Sequence, residues 1–584
     1  MGVPGFFVWL LKNYKKEGFV INKKKLEENN DTLLEVKTND TLSEINNIDY
    51  FLIDANCLIH PVCFKIIAGN PDLNDHDKLE DKMINAVLIY LDKLIDYVKP
   101  KKGIYLAIDG VAPIAKVKQQ RIRRFKSVAD KNMWDNIKRK HSKPLTTHWN
   151  NNAITPGTKF MVKLHNVIIN WASKQVYEVI YSSCFTPAEG EHKLLQFIRA
   201  NQKKNIDLSY IIYGLDADLI FLALSTNSNK IYLLREANEI NRNESKEVLN
   251  HISIKIMRKS IVNTILKYLS KEETFSFELD EIKVVNDFIF MCYFLGNDFL
   301  PHIPSLNIHR NGIEYLIINY TKTLKELILE NNKIVYLLNN LEINFNFLLN
   351  FITRLSLEED NILRENFYEK KRFKKCDGDL YEKEIFKIEN LQFKINDPIK
   401  LGSDNSEDWR KRYYKHHLNI NDDEIEEFSQ KLVYHYLMGI KWVTCYYFDK
   451  CVSWNWYYPF DYPPFISDIK KYLPKFNFDQ NKFKLGSPLK PFMQLLSVLP
   501  PQSNYLLPIT LRKLMLNPNS SLSYIYPLEF EQDFINKHRY WEGIPKLPPL
   551  DIDLIKRMYN KYQDELTPEE IERNKILEIY ILKN

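Results

Sequence analysis

The sequence predicts an α/β protein: a central, mostly parallel sheet flanked by helices, with a second, aromatic-rich and mostly helical region packed on it. In the first half of the chain, apolar runs typical of buried strands alternate with segments of helical periodicity. This alternation indicates a parallel sheet covered on both faces. Three of the apolar runs end on aspartate, and the second half of the chain is dense in aromatic residues.

The composition limits the class of protein. A chain of 584 residues with 45% hydrophobic and 13% aromatic residues has ample material for two to four domains and is not disordered as a whole. A net charge of +6 is small for this length and does not by itself indicate nucleic-acid binding. Seven cysteines without a CxxC pair argue against a disulfide framework or a zinc finger.

The N-terminal part contains an expected amphipathic helix over residues 6–16 and a polar stretch over 21–47 that is expected to be irregular. The first residues lack the pattern of a signal peptide. No apolar run is long enough to cross a bilayer. We therefore expect a soluble protein in the reducing interior of the cell, with no membrane partner.

The first three chemical features are the strand-end acids. The run from Tyr50 ends on Asp54, the run from Ile104 ends on Asp109, and the segment YIIYGLDADLIFLAL carries Asp216 and Asp218. Ligands of parallel sheets bind at the carboxyl ends of the strands, and buried carboxylates need a positive partner. A hard metal such as Mg²⁺ takes oxygen ligands. Aspartates that simply cap the following helices are the alternative, and the recurrence at three strand ends favours the metal site.

Three further acids lie at the ends of other predicted elements. Glu189 and Glu191 lie at a turn and in the first turn of a helix, where the macrodipole favours anions. For this pair, helix capping and a contribution to the metal cluster are equally good interpretations. Asp298 emerges from a buried helix broken at Gly296, and His302 nearby is interpreted as a structural hydrogen-bonding residue.

A basic helix is predicted directly after Asp109. Its residues Lys116, Gln120, Arg123 and Arg124 are spaced i, i+4, i+7 and i+8 and so share one face. Cationic and amide donors on one face suit a terminal phosphate. A solvated basic face is the alternative, and the neighbouring strand-end acid favours the phosphate pocket.

The chain divides into three expected regions. Residues 1–322 are expected to form a domain that carries the acids, residues 323–404 a helical or irregular linker region without a chemical motif, and residues 405–584 a second compact region. Aromatic residues interleaved with basic ones can stack on bases. We expect most of them to be core, with one or two reaching the site.

Several long motifs, in this order, carry a resemblance to a known family. They are MGVPGFF, DANCLIH, DGVAPIAKVKQQRIRRFK, ITPGTKFM, PAEGEHK, YGLDADLI, GNDFLPHIPSL and GIKWVTCYYFDKCVSWNWYYPFDYPP. Over nearly its whole length the chain resembles the 5′→3′ exoribonuclease (XRN) family, in a compact form closer to the cytoplasmic type and without the long C-terminal extension. The resemblance implies a catalytic core like that of PIN and flap nucleases.

The resemblance also implies roles for individual residues. Lys116, Gln120, Arg123 and Arg124 would hold a 5′-monophosphate. His60 would stack on the 5′ base opposite a tryptophan, for which both Trp454 and Trp456 remain candidates. Seven acids would form the catalytic metal cluster: Asp54, Asp109, Glu189, Glu191, Asp216, Asp218 and Asp298. Cys57, where the family usually has glycine, and Gly5, where many members have a larger residue, depart from the pattern without removing a ligand.

The implied function is that of a processive, cytoplasmic 5′→3′ exoribonuclease in mRNA decay. It would hydrolyse single-stranded RNA with a 5′-monophosphate to nucleoside 5′-monophosphates, using two Mg²⁺ ions, with Mn²⁺ as a substitute. The expected form is a monomer, and the decapping machinery is an expected partner. A flap-type DNA endonuclease would not account for residues 405–584, and an inactive RNA-binding scaffold would not need all seven acids.

Overall fold

The strands predicted in the first half of the chain lie side by side in one main sheet, and the described residues also form two separate two-stranded sheets. The computed structural model of the chain describes residues 3, 5–23, 35–73, 75–145, 149–226, 228–239, 248–270, 277–369 and 376–582. The strands are β1 (Val20–Ile21), β2 (Tyr50–Asp54), β3 (Gly103–Ala107), β4 (Glu178–Ser182), β5 (Tyr210–Tyr213), β6 (Ile231–Glu236), β7 (Leu249–Ser253), β8 (Leu338–Asn339), β9 (Glu342–Ile343), β10 (Gln532–Asp533), β11 (Ile544–Pro545) and β12 (Tyr580–Leu582).

Helices surround this sheet and are the main regular elements of the second half. They are α1 (Phe6–Tyr14), α2 (Glu35–Asn46), α3 (Asn56–Ala68), α4 (His76–Val98), α5 (Ile114–Lys140), α6 (Lys159–Ala172), α7 (Gly190–Lys203), α8 (Asp218–Leu224), α9 (Ile254–Leu269), α10 (Glu281–Cys292), α11 (Gly312–Asn331), α12 (Phe345–Tyr368), α13 (Leu380–Glu389), α14 (Ser406–Leu418), α15 (Ile425–Phe448), α16 (Ile466–Tyr472), α17 (Pro491–Val498), α18 (Ile509–Leu516), α19 (Ile552–Tyr562) and α20 (Pro568–Arg573).

The main sheet has eight strands in the order β1-β7-β6-β5-β2-β3-β4-β12. The five central strands, β6 to β4, are parallel, and the outer strands β1, β7 and β12 pair antiparallel. The predicted fold class, a mostly parallel sheet flanked by helices, is confirmed. The carboxyl ends of β2, β3, β4 and β5 lie next to one another, so the loops that follow them meet at one edge.

The central strands are apolar throughout because helices cover both faces of the sheet. Along β2, Leu52 belongs to the core on one face, whereas Phe51 and Ile53 belong to the core on the other. The same alternation places Tyr105 and Ile104 of β3 on opposite faces. This period of two is the geometry of an extended strand.

The second half of the chain shares a core with the first. The buried cluster on one face of the sheet continues through α10 to Trp409, Tyr436 and Trp442. Helix α15 packs against α8, which begins at Asp218. The expected domain boundary at residue 322 falls inside α11, and β12 returns from the C-terminal part to pair with β4. The three-region division stays a prediction.

Some local expectations differ from the structure. The stretch 21–47 contains the helix α2, while residues 24–34 lie outside the described ranges, as do positions 1, 2 and 4 of the first motif. The basic helix predicted after Asp109 extends from Ile114 to Lys140, well beyond the four residues of its predicted phosphate-binding face. None of the helices in the described ranges has the length and apolar character to span a bilayer.

Candidate active site

Loops from four adjacent strands deliver most of the acids to one place. Asp54 is the last residue of β2, Asp109 follows β3, and Asp216 lies between β5 and α8. Glu189 lies in the loop that leads from β4 into α7. The five-strand parallel arrangement therefore brings together side chains that are up to 162 residues apart along the chain.

Hydrogen bonds of Asp109 join three of these loops. The amide N–H of Gly190 donates to Asp109 Oδ1 at 2.7 Å, and the Asn56 side-chain amide donates to Asp109 Oδ2 at 3.0 Å. The N–H of Asp109 in turn donates to Asn56 Oδ1 at 3.0 Å. The start of α7 and the start of α3 are thereby fixed to the end of β3, and a carboxylate at a helix start also suits the macrodipole.

Two glycines allow this close approach. A Cβ on Gly110 would lie 1.8 Å from the carbonyl oxygen of Thr186, and a Cβ on Gly190 would lie 2.7 Å from Asp54 Oδ1. Any larger residue would separate the loops that carry Asp109 and Glu189. The glycines thus set the spacing of the carboxylates.

Lys116 lies inside the acidic cluster. Its ammonium forms ion pairs with Glu189 Oε2 and Asp298 Oδ2, both at 2.6 Å. Burial works against this charge, but the two carboxylates outweigh it and raise the pKa of Lys116 well above its ordinary value. Burial by itself raises the pKa of Asp298, yet Lys116 holds it well below the ordinary value. Asp298 is therefore ionised at neutral pH.

The other buried acids resist ionisation. Burial, together with the charges of Asp109 and Asp216, raises the pKa of Asp54 well above its ordinary value. Burial and Asp218 do the same for Glu191, and burial raises the pKa of Asp218 to about 6. Carboxylates that raise one another's pKa attract a cation, because its charge removes their mutual repulsion.

Tyrosines of α15 complete the cluster. The hydroxyl of Tyr446 donates to Glu189 Oε1 at 2.8 Å, and that of Tyr447 donates to Asp218 Oδ1 at 3.0 Å. Tyr446 also stacks between His192 and Trp442, with ring centroids 4.2 and 4.7 Å away. The aromatic-rich region thus orients two of the acids.

The donor set fits a hard divalent cation. Glu191 Oε2 is buried and has no hydrogen-bond partner among the described residues, which leaves a lone pair free for a ligand bond. The ligand atoms of Asp54, Cys57 and Asp216 lie within 4.8 Å of one another. Cys57 donates to Asp54 Oδ2 at 3.2 Å, and burial raises the pKa of its thiol, so it stays protonated. Oxygen atoms are therefore the ligands on offer.

A cavity of about 270 Å³ opens beside the acids. Its walls include His60, Gln120, Arg123 and Arg124, and Asp109 lies at its border with the acidic cluster. Arg124 Nη1 is buried and lacks a hydrogen-bond partner within the described ranges. Burial lowers the pKa of Arg124 to about 9, so the guanidinium is still charged at neutral pH. An unpaired buried cation of this kind suits an anionic ligand.

Three of the four residues predicted to bind phosphate line this cavity, and the fourth points elsewhere. Gln120, Arg123 and Arg124 line this cavity, whereas the ammonium of Lys116, one turn earlier, is held by acids. His60 lies in the cavity wall, and burial followed by the charge of Arg123 lowers its pKa to about 4. Its imidazole is therefore neutral and suited to stacking.

The two candidate tryptophans have different surroundings. Trp456 stacks on Trp442 at 5.4 Å and lies 3.0 Å from where a Cβ on Gly439 would be, so it is packed against α15. The carbonyl of Trp454 accepts a hydrogen bond from Ile114 N at 2.9 Å. Trp454 thus lies at the start of the basic helix.

Several residues that shape the site were not predicted from the sequence. Asn56 sits two residues after a strand-end aspartate, and this proximity was an available signal. Gln494 gave none: it comes from α17, accepts from Ala112 N at 2.9 Å and donates to Gln120 at 3.4 Å. Tyr446 and Tyr447 lay within an aromatic run whose members could not be separated into core and site.

Two family models match the chain. The model described as "XRN 5'-3' exonuclease N-terminus" matches residues 1–237. The model described as "Xrn1 helical domain" matches residues 276–390 and 380–583. Together they span both halves of the shared core.

Relatives of known name match along nearly the whole chain. A 5'-3' exoribonuclease 2 of Candida albicans is 30% identical over 98% of this chain and 74% of its own length. That of Arabidopsis thaliana is 28% identical over 99% of this chain and 69% of its own. The human 5'-3' exoribonuclease 1 is 29% identical over 98% of this chain but only 35% of its own length. Sequence identity is nearly the same to 5'-3' exoribonucleases 1 and 2, so it does not assign the chain to either type.

A solved structure also aligns with the chain. It is the catalytic core of Rad2 in complex with DNA substrate, with a TM-score of 0.28 and 12% identity over 74% of this chain and 88% of that one. A likeness at this level says nothing about the substrate of the present chain.

Proposed function

The chain belongs to the XRN family of 5′-3′ exonucleases, and on that premise we propose that it is a metal-dependent 5′→3′ exoribonuclease that acts in RNA decay. The observation that carries this proposal is the juxtaposition of an acidic cluster with a cationic cavity. The cluster suits phosphodiester hydrolysis, and the cavity next to it suits the phosphate that marks a 5′ end.

The seven acids are the proposed ligands of two divalent cations, Mg²⁺ with Mn²⁺ as a substitute. When bound, such ions would supply an activated water for in-line attack and would stabilise the leaving 3′-oxygen. The chain's own residues prepare this chemistry: Tyr446 and Tyr447 orient two carboxylates, and Gly190 keeps the carboxylates of Asp54 and Asp109 close together.

The cationic cavity is the proposed site of a 5′-monophosphate. Arg124 and Arg123 would grip it, and Gln120, held by Gln494, would donate to it. The cavity of about 270 Å³ offers these donors to one terminal phosphate, and selection against a triphosphate or a cap is part of the proposal. Lys116 would join this set if it moved away from Glu189 and Asp298.

Stacking would hold the first base without regard to its identity, because every base has a π-face. His60 in the cavity wall is one stacking partner. Trp454 is the proposed second partner, since Trp456 is engaged with Trp442. After each cleavage the new 5′-phosphate can move into the same cavity, which supports processive release of nucleoside 5′-monophosphates. Monomeric state, cytoplasmic location and cooperation with decapping enzymes remain predictions.

One RNA with four different 5′ ends tests the proposal. With Mg²⁺ present, the monophosphorylated RNA is expected to decay to mononucleotides, while the triphosphate, hydroxyl and capped forms stay largely intact. Arg124→Gln should reduce this preference, and Arg139→Gln, an exposed position on the same helix, serves as the matched control. Asp218→Ala should abolish decay and leave RNA binding largely unchanged.

Other outcomes would support other functions. Release of an oligonucleotide from a DNA flap, without mononucleotides from RNA, would identify a structure-specific endonuclease. Decay that survives Asp218→Ala would show that the acids are not the metal ligands. Tight RNA binding without decay at any 5′ end would indicate a scaffold.

A further inference from the structure

A second group of metal-ligand side chains lies apart from the acidic cluster, where α14 meets β10. His416, His417 and Asp533 each present one ligand atom, and these atoms lie within 4.8 Å of one another. His417 Nδ1 is 3.7 Å from Asp533 Oδ2. Ligands of a tetrahedral Zn²⁺ lie about 3.3 Å apart, given bond lengths of about 2.0–2.1 Å. Small side-chain movements would therefore bring the three atoms onto one ion.

The two histidines carry unsatisfied nitrogens. His417 Nδ1 and His416 Nε2 are buried and have no hydrogen-bond partner among the described residues. The side chain of His417 is only 4% exposed. A buried polar atom without a partner costs free energy, and a bound ion is one way to satisfy it. Neither histidine takes part in the acidic cluster or the cationic cavity, so the proposed reaction does not explain them.

Neighbouring residues hold the ligands in place. Tyr462 stacks on the imidazole of His417, with centroids 3.5 Å apart and planes at 17°, and its hydroxyl donates to Asp533 Oδ2. Ile535 N donates to Asp533 Oδ1 at 2.8 Å. Tyr413 packs edge-on against His417 at 4.6 Å. Orientation of a carboxylate and an imidazole by outer residues is typical of metal sites.

We propose that His416, His417 and Asp533 bind one divalent transition-metal ion such as Zn²⁺, with solvent completing its coordination. Imidazole nitrogens favour Zn²⁺ and similar ions over Mg²⁺, so this site and the acidic cluster take different ions. A cavity of about 330 Å³, lined in part by His417, Tyr462 and Lys537, lies beside these ligands.

The site would fasten two parts of the C-terminal region to each other. Its ligands come from helix α14 and strand β10, more than a hundred residues apart. The cavity beside it is also lined by Pro301 and His302, in the loop that follows Asp298. The ion would thus help to hold the segment that packs against the loop after Asp298, a proposed catalytic acid. We expect it to stabilise the fold.

Zinc retention by the full chain tests this proposal. The protein is stripped with EDTA, dialysed against equimolar Zn²⁺ with Mg²⁺ in large excess, and its zinc content and melting temperature are measured. The wild-type chain is expected to keep one Zn²⁺ and to melt at a higher temperature than in EDTA. His417→Phe preserves the stack on Tyr462 but removes the nitrogen, and should lose both the zinc and the shift.

Two further variants keep the result unambiguous. Cys57→Ala removes the thiol beside the acidic cluster, and it should still retain zinc. His416→Gln, at a partly exposed position, replaces His417→Phe as the test variant if the latter does not fold. A wild-type chain that keeps no zinc, zinc retained by the histidine variant, or zinc lost from Cys57→Ala would each overturn the proposal.

Discussion

At the scale of single residues, Lys116 shows how a side chain can belong to two sites. The helical spacing places it with Gln120, Arg123 and Arg124 on one face, and the backbone of α5 keeps that arrangement. Its long side chain nevertheless turns toward Glu189 and Asp298. Its ammonium supplies the positive partner that these two buried carboxylates need.

Replacing Lys116 should destabilise the chain most when no divalent ion is present. Lys116→Met removes the cation from two buried carboxylates, a change that costs about 3–5 kcal/mol. Urea unfolding in EDTA measures this loss, and added Mg²⁺ should restore part of it. Lys140→Met, which breaks an exposed pair with Glu384, is the control and should cost about 1 kcal/mol or less. Equal losses for the two variants would contradict the buried ion pair.

Gly190 should be more important for activity than for folding. In Gly190→Ala the new Cβ would meet Asp54 Oδ1 at 2.7 Å and push the carboxylates apart. We expect RNA decay to fall by about 100-fold or more, since a displacement of about 1 Å is that costly, while stability changes by about 1–3 kcal/mol. Gly69→Ala meets only ordinary contacts at 3.4 Å and should behave like wild type in decay assays. Normal decay by Gly190→Ala would show that the spacing of Asp54 is unimportant.

At the scale of elements, the sheet buries ionisable groups that the reaction does not use. His251 of β7 pairs with Leu234 of β6, is 1% exposed and stacks on Tyr97 at 5.7 Å. Burial, followed by the charge of Lys23, lowers its pKa to about 3. The folded chain therefore keeps this imidazole neutral over a range where the unfolded chain protonates it.

This histidine should make stability fall in acid. The stability that this neutral imidazole contributes is fully present above the unfolded pKa of about 6.5 and is lost as the pH falls from there toward the folded pKa of about 3. At pH 5 the loss is about 2 kcal/mol. His251→Phe keeps the stacked ring and removes the titration. Urea unfolding at pH 7.5 and pH 5.0 should show a decrease about 2 kcal/mol smaller for the variant. A decrease as large as in wild type would mean that His251 titrates normally in the folded chain.

At the scale of the whole molecule, the C-terminal residues add the last strand at one edge of the sheet formed by the first half. Strand β12 pairs antiparallel with β4, with Ile581 opposite Ile180, and Leu577 N donates to Phe185 O at 3.1 Å. Tyr580 also packs on His165 at 5.6 Å. The strand covers an edge of β4 that would otherwise expose unpaired backbone groups.

Removal of residues 577–584 should therefore weaken the whole fold. Loss of the half-buried side chains of β12 and of its pairing should cost about 2–4 kcal/mol, and the exposed edge should promote aggregation. Thermal melting and light scattering measure the two effects. Ile581→Thr changes a side chain that is 64% exposed and keeps the strand, so it should match wild type. A truncated chain as stable and monodisperse as Ile581→Thr would show that β12 is dispensable.

Local patterns in the sequence were enough to predict the parallel sheet, the strand-end position of Asp54 and the shared face of Gln120 and Arg124. These features depend on periods of two and 3.6 residues and on the rule that parallel strands present their ligands at one edge. That rule is independent of how the remainder of the chain packs, so it could be applied without a structure.

Tertiary packing decided the features that join distant segments. The contacts of Tyr446 with Glu189 and of Tyr447 with Asp218, the turn of Lys116 into the acids, and the return of β12 to β4 all depend on where α15 and the C-terminal residues pack. No local period encodes such contacts, because they arise from the fit of buried surfaces between elements far apart in the chain. For the same reason, only the packing of α15 showed that Trp456 is covered by Trp442.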